Sequence, residues 1–68
     1  MNRIKAERVM RNLTQEQFAK EMNVVSKTAQ RWEYGQINIP SRKLCEIADV
    51  FGCTTDWLLG RSERRKEN

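Results

Sequence analysis

The stretch "LCEIADVFG" constrains this chain more than any other. Leu44, Ile47, Ala48 and Phe51 recur at i, i+3, i+4 and i+7, the spacing of one buried helix face. Gly52 follows as a stop. Strand-like alternation is absent, and helical spacing recurs along the rest of the sequence. A chain of 68 residues has room for one small domain with a modest core. It is stable only if its helices are compact and locally consistent, or if it dimerises. The expected fold is all-α, a compact bundle of five short helices.

The punctuation sets the expected bounds. A first helix runs from Asn2 or Arg3 to Arg11, with Ile4, Arg8 and Val9 on related faces, and Leu13 turns back into the core. Thr14 caps a second helix, "QEQFAKEM", and Gln17 three residues on completes a capping box. Phe18, Ala19 and Met22 form its apolar stripe. Asn23, one of the few residues besides glycine that tolerates a left-handed backbone, ends it. A third helix spans Ser26 to Glu33 or Tyr34 and stops at Gly35. After "QINIP", with Ile39 anchored, Pro40 leads into the fourth helix, which Ser41 can cap. Thr54 caps a last helix, "TDWLL", ended by Gly60. The domain is expected over residues 1–60, with residues 61–68 a frayed basic tail.

Charge narrows the partner weakly. The net charge is +4, half of it in the body and half in "RSERRKEN". That excess favours a polyanion over an acidic protein surface. Two cysteines and no histidine exclude a structural zinc site, which needs about four such ligands. Cys45 and Cys53 read as reduced thiols near a core in a cytoplasmic protein. No signal peptide and no membrane-spanning apolar run is present. With no histidine, no phosphate-cradling glycine loop and no carboxylate pair in an apolar pocket, the chain does not read as an enzyme. No cofactor, metal or small-molecule ligand is implied.

The third helix is the informative one. A helix turns about 100° per residue, since 3.6 residues make one turn. On that wheel Val25, Ala29 and Trp32 share a docking side, and Ser26, Lys27, Gln30 and Arg31 share the opposite, polar side. Ala29 is small enough to let the preceding helix approach closely. Two helices joined by a three-residue turn around Asn23 have helix-turn-helix geometry. Arg or Lys donates to guanine O6 and N7, and Gln pairs with adenine N6 and N7, so the polar side carries groups that read base edges. The same side is equally an ordinary solvated face when taken alone. Trp32 and Trp57 read as core or half-core packing, not as base-stacking groups.

Taken in order, "IKAERVMRNLTQEQFAKEM", "RWEYG", "IPS", "LCEIADVFG" and "DWLLG" resemble the Cro/repressor-type (XRE-like) helix-turn-helix family, which includes the lambdoid phage repressors. The resemblance covers Ile4 to Gly60. It implies a lambda repressor-like DNA-binding domain acting as a transcriptional regulator. The expected partner is a double-stranded DNA operator bound by a homodimer, in the cytoplasm of a bacterium or phage-infected host.

The resemblance also implies roles. Ser26, Lys27 and Arg31 match base-contacting positions, with Thr28 and Gln30 secondary. Gln15 matches a glutamine that anchors a phosphate and braces the reading helix. Tyr34, Gln36 and Asn38 lie in a loop beside the sugar-phosphate backbone, and Ser41, Arg42 and Lys43 follow as further phosphate contacts. Arg8 and Glu33 match an internal ion pair. Cys53 to Leu59, including Thr55, Leu58 and Leu59, are expected at the dimer interface.

Three positions depart from the pattern. Asn23 replaces a common glycine, Tyr34 a common asparagine, and Val25 the usual capping Ser or Thr. Two alternatives therefore stay open for Ser26. It either caps the helix one residue late or leaves its hydroxyl free to read a base. A second function also stays open: a protein-interaction module, such as an antitoxin, built on the same fold.

Overall fold

The computed structural model describes residues 2–66. Five helices follow in order: α1 Ile4–Met10, α2 Gln15–Glu21, α3 Ser26–Glu33, α4 Ser41–Phe51 and α5 Thr55–Leu58. No strand occurs among the described residues. The all-α, five-helix expectation is met, each helix ending within a residue or two of its expected bounds.

Local chemistry explains the boundaries. The Thr14 hydroxyl accepts from Gln17 N at 3.0 Å, and Gln17 Oε1 accepts from Thr14 N at 2.8 Å, a reciprocal capping box for α2. Asn23 takes φ 60° in the turn between α2 and α3. Gly52 takes φ 66° after α4, where a side chain would strain the backbone. The Thr54 hydroxyl caps α5 by accepting from Trp57 N at 3.0 Å.

The core gathers Ile4 from α1, Phe18 and Ala19 from α2, Met22 after it, Ala29 and Trp32 from α3, Ile47, Ala48 and Phe51 from α4, and Leu58 from α5. The Phe18 and Phe51 rings stack with centroids 5.6 Å apart. Leu13, Val24, Ile39, Leu44 and Cys53 pack around the edge. Arg3 N donates to Leu58 O at 2.7 Å, joining the start of α1 to α5.

Several expectations are corrected. Val9 faces solvent, and the inward position on α1 belongs to Glu7. Cys45 is exposed, because the buried face of α4 is set by Ile47, Ala48 and Phe51; only Cys53 lies near the core. Burial raises the Cys53 thiol above its ordinary pKa, with the negative charge of Glu7 adding to the effect. Pro40, not Ser41, occupies the N-cap position of α4, and no side chain caps that helix. Leu58 is wholly buried and offers no surface to a partner. A helix of four residues has too little periodicity for the sequence to fix which leucine points inward.

The tail also differs from expectation. Through residue 66 it folds back against the body; residues 67 and 68 lie outside the described residues. Arg65 Nη2 and Nε donate to the two Glu7 carboxylate oxygens at 2.7 and 2.9 Å. Arg11 Nη1 adds a 2.8 Å bond and Trp57 Nε1 a 2.9 Å bond to the same carboxylate. Arg11 and Arg65 both donate to Phe51 O as well. Hydrogen bonding from Arg65 holds the Glu7 pKa down to about 2, with Trp57 and Arg11 assisting, although burial alone would raise it. A buried carboxylate thus collects α1, α4, α5 and the tail.

Candidate nucleic-acid interface

α3 is fixed from behind, and the fixation begins with its sequence. Ala29 and Trp32 bury their side chains against the core, and Glu33 at the helix end is buried with them. A buried carboxylate needs partners. Arg8 Nε donates to Glu33 Oε2 at 2.6 Å and Arg8 Nη2 to Oε1 at 3.3 Å. Arg8 Nη1 spends a further donor on Leu13 O at 2.8 Å. Gln15 Nε2 donates to Glu33 Oε1 at 3.2 Å. The expected Arg8–Glu33 pair is therefore present, and Gln15 braces α3 from the first turn of α2.

Two ties were not legible as such in the sequence. Asn2 Nδ2 donates to Trp32 O at 2.8 Å, while its Oδ1 accepts from Ile4 N at 3.1 Å. It holds the end of α3 to the start of α1. The only hint was an amide residue two places before the first apolar position. Lys43 Nζ donates to Met22 O at 2.7 Å and to Glu46 Oε1 at 3.4 Å. Its ammonium is turned inward, onto the turn that precedes α3, and away from the phosphate-contact set expected for it.

The outward side of α3 is chemically open. Ser26, Lys27, Gln30 and Arg31 are exposed, and Thr28 is half-buried. Neither Lys27 nor Arg31 has a carboxylate partner among the described residues. Five hydrogen-bonding side chains, two of them cationic, therefore sit on one short helix. Beyond its end, Tyr34, Gln36, Asn38, Ser41 and Arg42 are also exposed.

The question of the helix start is settled. Val25 is the N-cap residue, in an extended conformation (φ −77°, ψ 155°), with no side-chain capping bond. Ser26 is the first helical residue and does not cap, which leaves its hydroxyl free. Val25 does not dock either. It is 67% exposed, and Val24 packs at the core edge instead. The wheel fails here because Val25 precedes the helix and does not follow its rotation.

Of the residues expected at a dimer interface, Cys53, Thr55 and Leu59 are partly exposed and Leu58 is not. Leu59 lines a shallow groove with Asn2, Trp32, Ile37, Asn38, Ile39 and Leu44. No described helix is long and apolar enough to cross a membrane.

Comparison with known proteins agrees with this geometry. No curated protein matches the chain. A family model described as "Helix-turn-helix" matches residues 4–58, from the first residue of α1 to the last of α5. The match spans all five helices, and with it the chain belongs to the Cro/repressor-type (XRE) helix-turn-helix family, whose domains bind DNA.

Proposed function

We propose that this chain is a sequence-specific double-stranded DNA-binding transcriptional regulator that places α3 in the major groove. One observation carries the reading: the outward side of a rigidly braced α3 presents Ser26, Lys27, Gln30 and Arg31 with no side-chain partner among the described residues to compete for them. Lys27 and Arg31 suit guanine, Gln30 suits adenine, and Ser26 suits either, with Thr28 in a supporting place. Gln15, Tyr34, Gln36, Asn38, Ser41 and Arg42 supply phosphate contacts that set register without specifying sequence. Lys43 is left out of that set, because its ammonium serves the turn before α3. Two copies meet through Leu59 and Ile37 at the groove edge and through Thr55 on α5, on a near-palindromic operator with half-sites about 34–36 Å apart.

Selection of bound duplexes from a random pool tests this reading. The expected result is an enriched motif with two-fold symmetry. Arg31→Ala should weaken binding to that motif by about 1–3 kcal/mol and leave binding to random DNA nearly unchanged. Equal losses on both would move Arg31 to the phosphate contacts. Affinity should fall steeply with salt. A flat salt slope with no enriched motif would assign the face to a protein partner instead.

A further inference from the structure

Val25 is the residue that the reading of α3 does not use. It stands where a capping hydroxyl would satisfy the helix N-terminus, yet it makes no cap. Its side chain is 67% exposed, while its neighbour Val24 does the packing. It edges a shallow depression whose other walls are Glu16, Ala19, Lys20, Asn23, Val24 and Ser26. Val25 is therefore an apolar, β-branched group with one strongly restricted rotamer axis, set beside the free hydroxyl of Ser26. On the proposed interface, the N-terminal residues of the reading helix meet base edges. Among the major-groove edges of the four bases, one apolar group stands out, the C5-methyl of thymine.

We infer that Val25 is a specificity-determining residue that selects thymine by packing on its C5-methyl group. The inference rests on the DNA-binding reading above and deepens it. It assigns an apolar element to a face otherwise made of hydrogen-bonding and cationic groups. The unfilled cap is then part of the recognition surface, since a Ser or Thr here would turn its oxygen to the helix N–H groups.

The test uses the full chain and the operator recovered by selection. Each thymine of a half-site is replaced in turn by deoxyuridine, which removes the methyl and preserves pairing. At one thymine the wild-type affinity should fall about three- to tenfold, the effect expected for losing one packed methyl. Val25→Ser should bind the thymine and deoxyuridine operators equally, and Val25→Thr, which keeps a methyl branch, should retain part of the preference. Because Val25 is exposed, both variants should fold, as checked by circular dichroism. If no deoxyuridine replacement weakens the wild type, the inference is overturned while operator binding stands. If Val25→Ser weakens both operators equally, Val25 packs on the sugar-phosphate backbone and the inference is again overturned. Failure of the wild type to enrich any duplex overturns the DNA reading itself, and this inference with it.

Discussion

Glu7→Gln isolates the charge in the carboxylate that collects four parts of the fold. The amide keeps the side-chain volume and an oxygen for Trp57 Nε1, but loses the negative charge that Arg65 and Arg11 share. The fold holds the carboxyl at about 2 against an ordinary 4.5. A shift of that size is worth about 3 kcal/mol in favour of the ionised folded state. The Arg65 and Arg11 side chains stay 29% and 31% exposed and regain water when the charge goes, which trims the expected loss to about 2–3 kcal/mol. Because the folded pKa is lowered, the contribution is full above pH 4.5 and drains away as pH falls toward 2. Urea unfolding of both proteins reads this directly. With a slope of about 1 kcal/mol/M for a domain this small, the variant's midpoint should drop by about 2–3 M at neutral pH. By about pH 3 the difference should be roughly halved. A difference that does not shrink on acidification would place the loss in packing and refute the electrostatic account. So would a loss below about 0.5 kcal/mol at neutral pH.

Arg8→Ala leaves the Glu33 carboxylate, whose side chain is 1% exposed, without its cation and with only the Gln15 amide, and should cost about 3–5 kcal/mol in thermal or urea unfolding. Thr14→Ala removes one half of the α2 capping box and should cost about 1 kcal/mol, with little change in DNA affinity once folded. Arg65→Ala should lower stability less than Glu7→Gln, since Arg11 and Trp57 still hold the carboxylate; equal losses would mean that Arg65 alone sustains it.

The helices were legible because their signals are local. The capping box of Thr14 and Gln17, the left-handed Asn23 and the α4 stripe each lie within one or two turns of chain. The Arg8–Glu33 pair was legible through the family resemblance alone, for nothing in its spacing announces a contact across 25 residues. Glu7 was not legible. In sequence it is an ordinary acid on a helix, and its partners Trp57 and Arg65 lie 50 and 58 residues away. The basic tail looked solvated for the same reason: the acid that orders it is buried in another element. On the candidate interface, the helical wheel assigns Ser26, Lys27, Gln30 and Arg31 to one outward side, and all four are exposed. Val25 escapes the wheel, because its backbone is still extended and does not follow the helical rotation.

α3 is held at both ends. Val24 N donates to Ala19 O and Lys43 seizes Met22 O before it begins; Arg8, Gln15 and Asn2 hold Glu33 and the Trp32 carbonyl where it finishes. A rod pinned in this way has little freedom to rock in order to fit a groove of the wrong width or pitch. On the proposed operator the compliance must then come from the duplex, whose stiffness varies with sequence. Base pairs that no side chain reaches would enter the selection, because flexible steps yield to the rod and stiff tracts resist it.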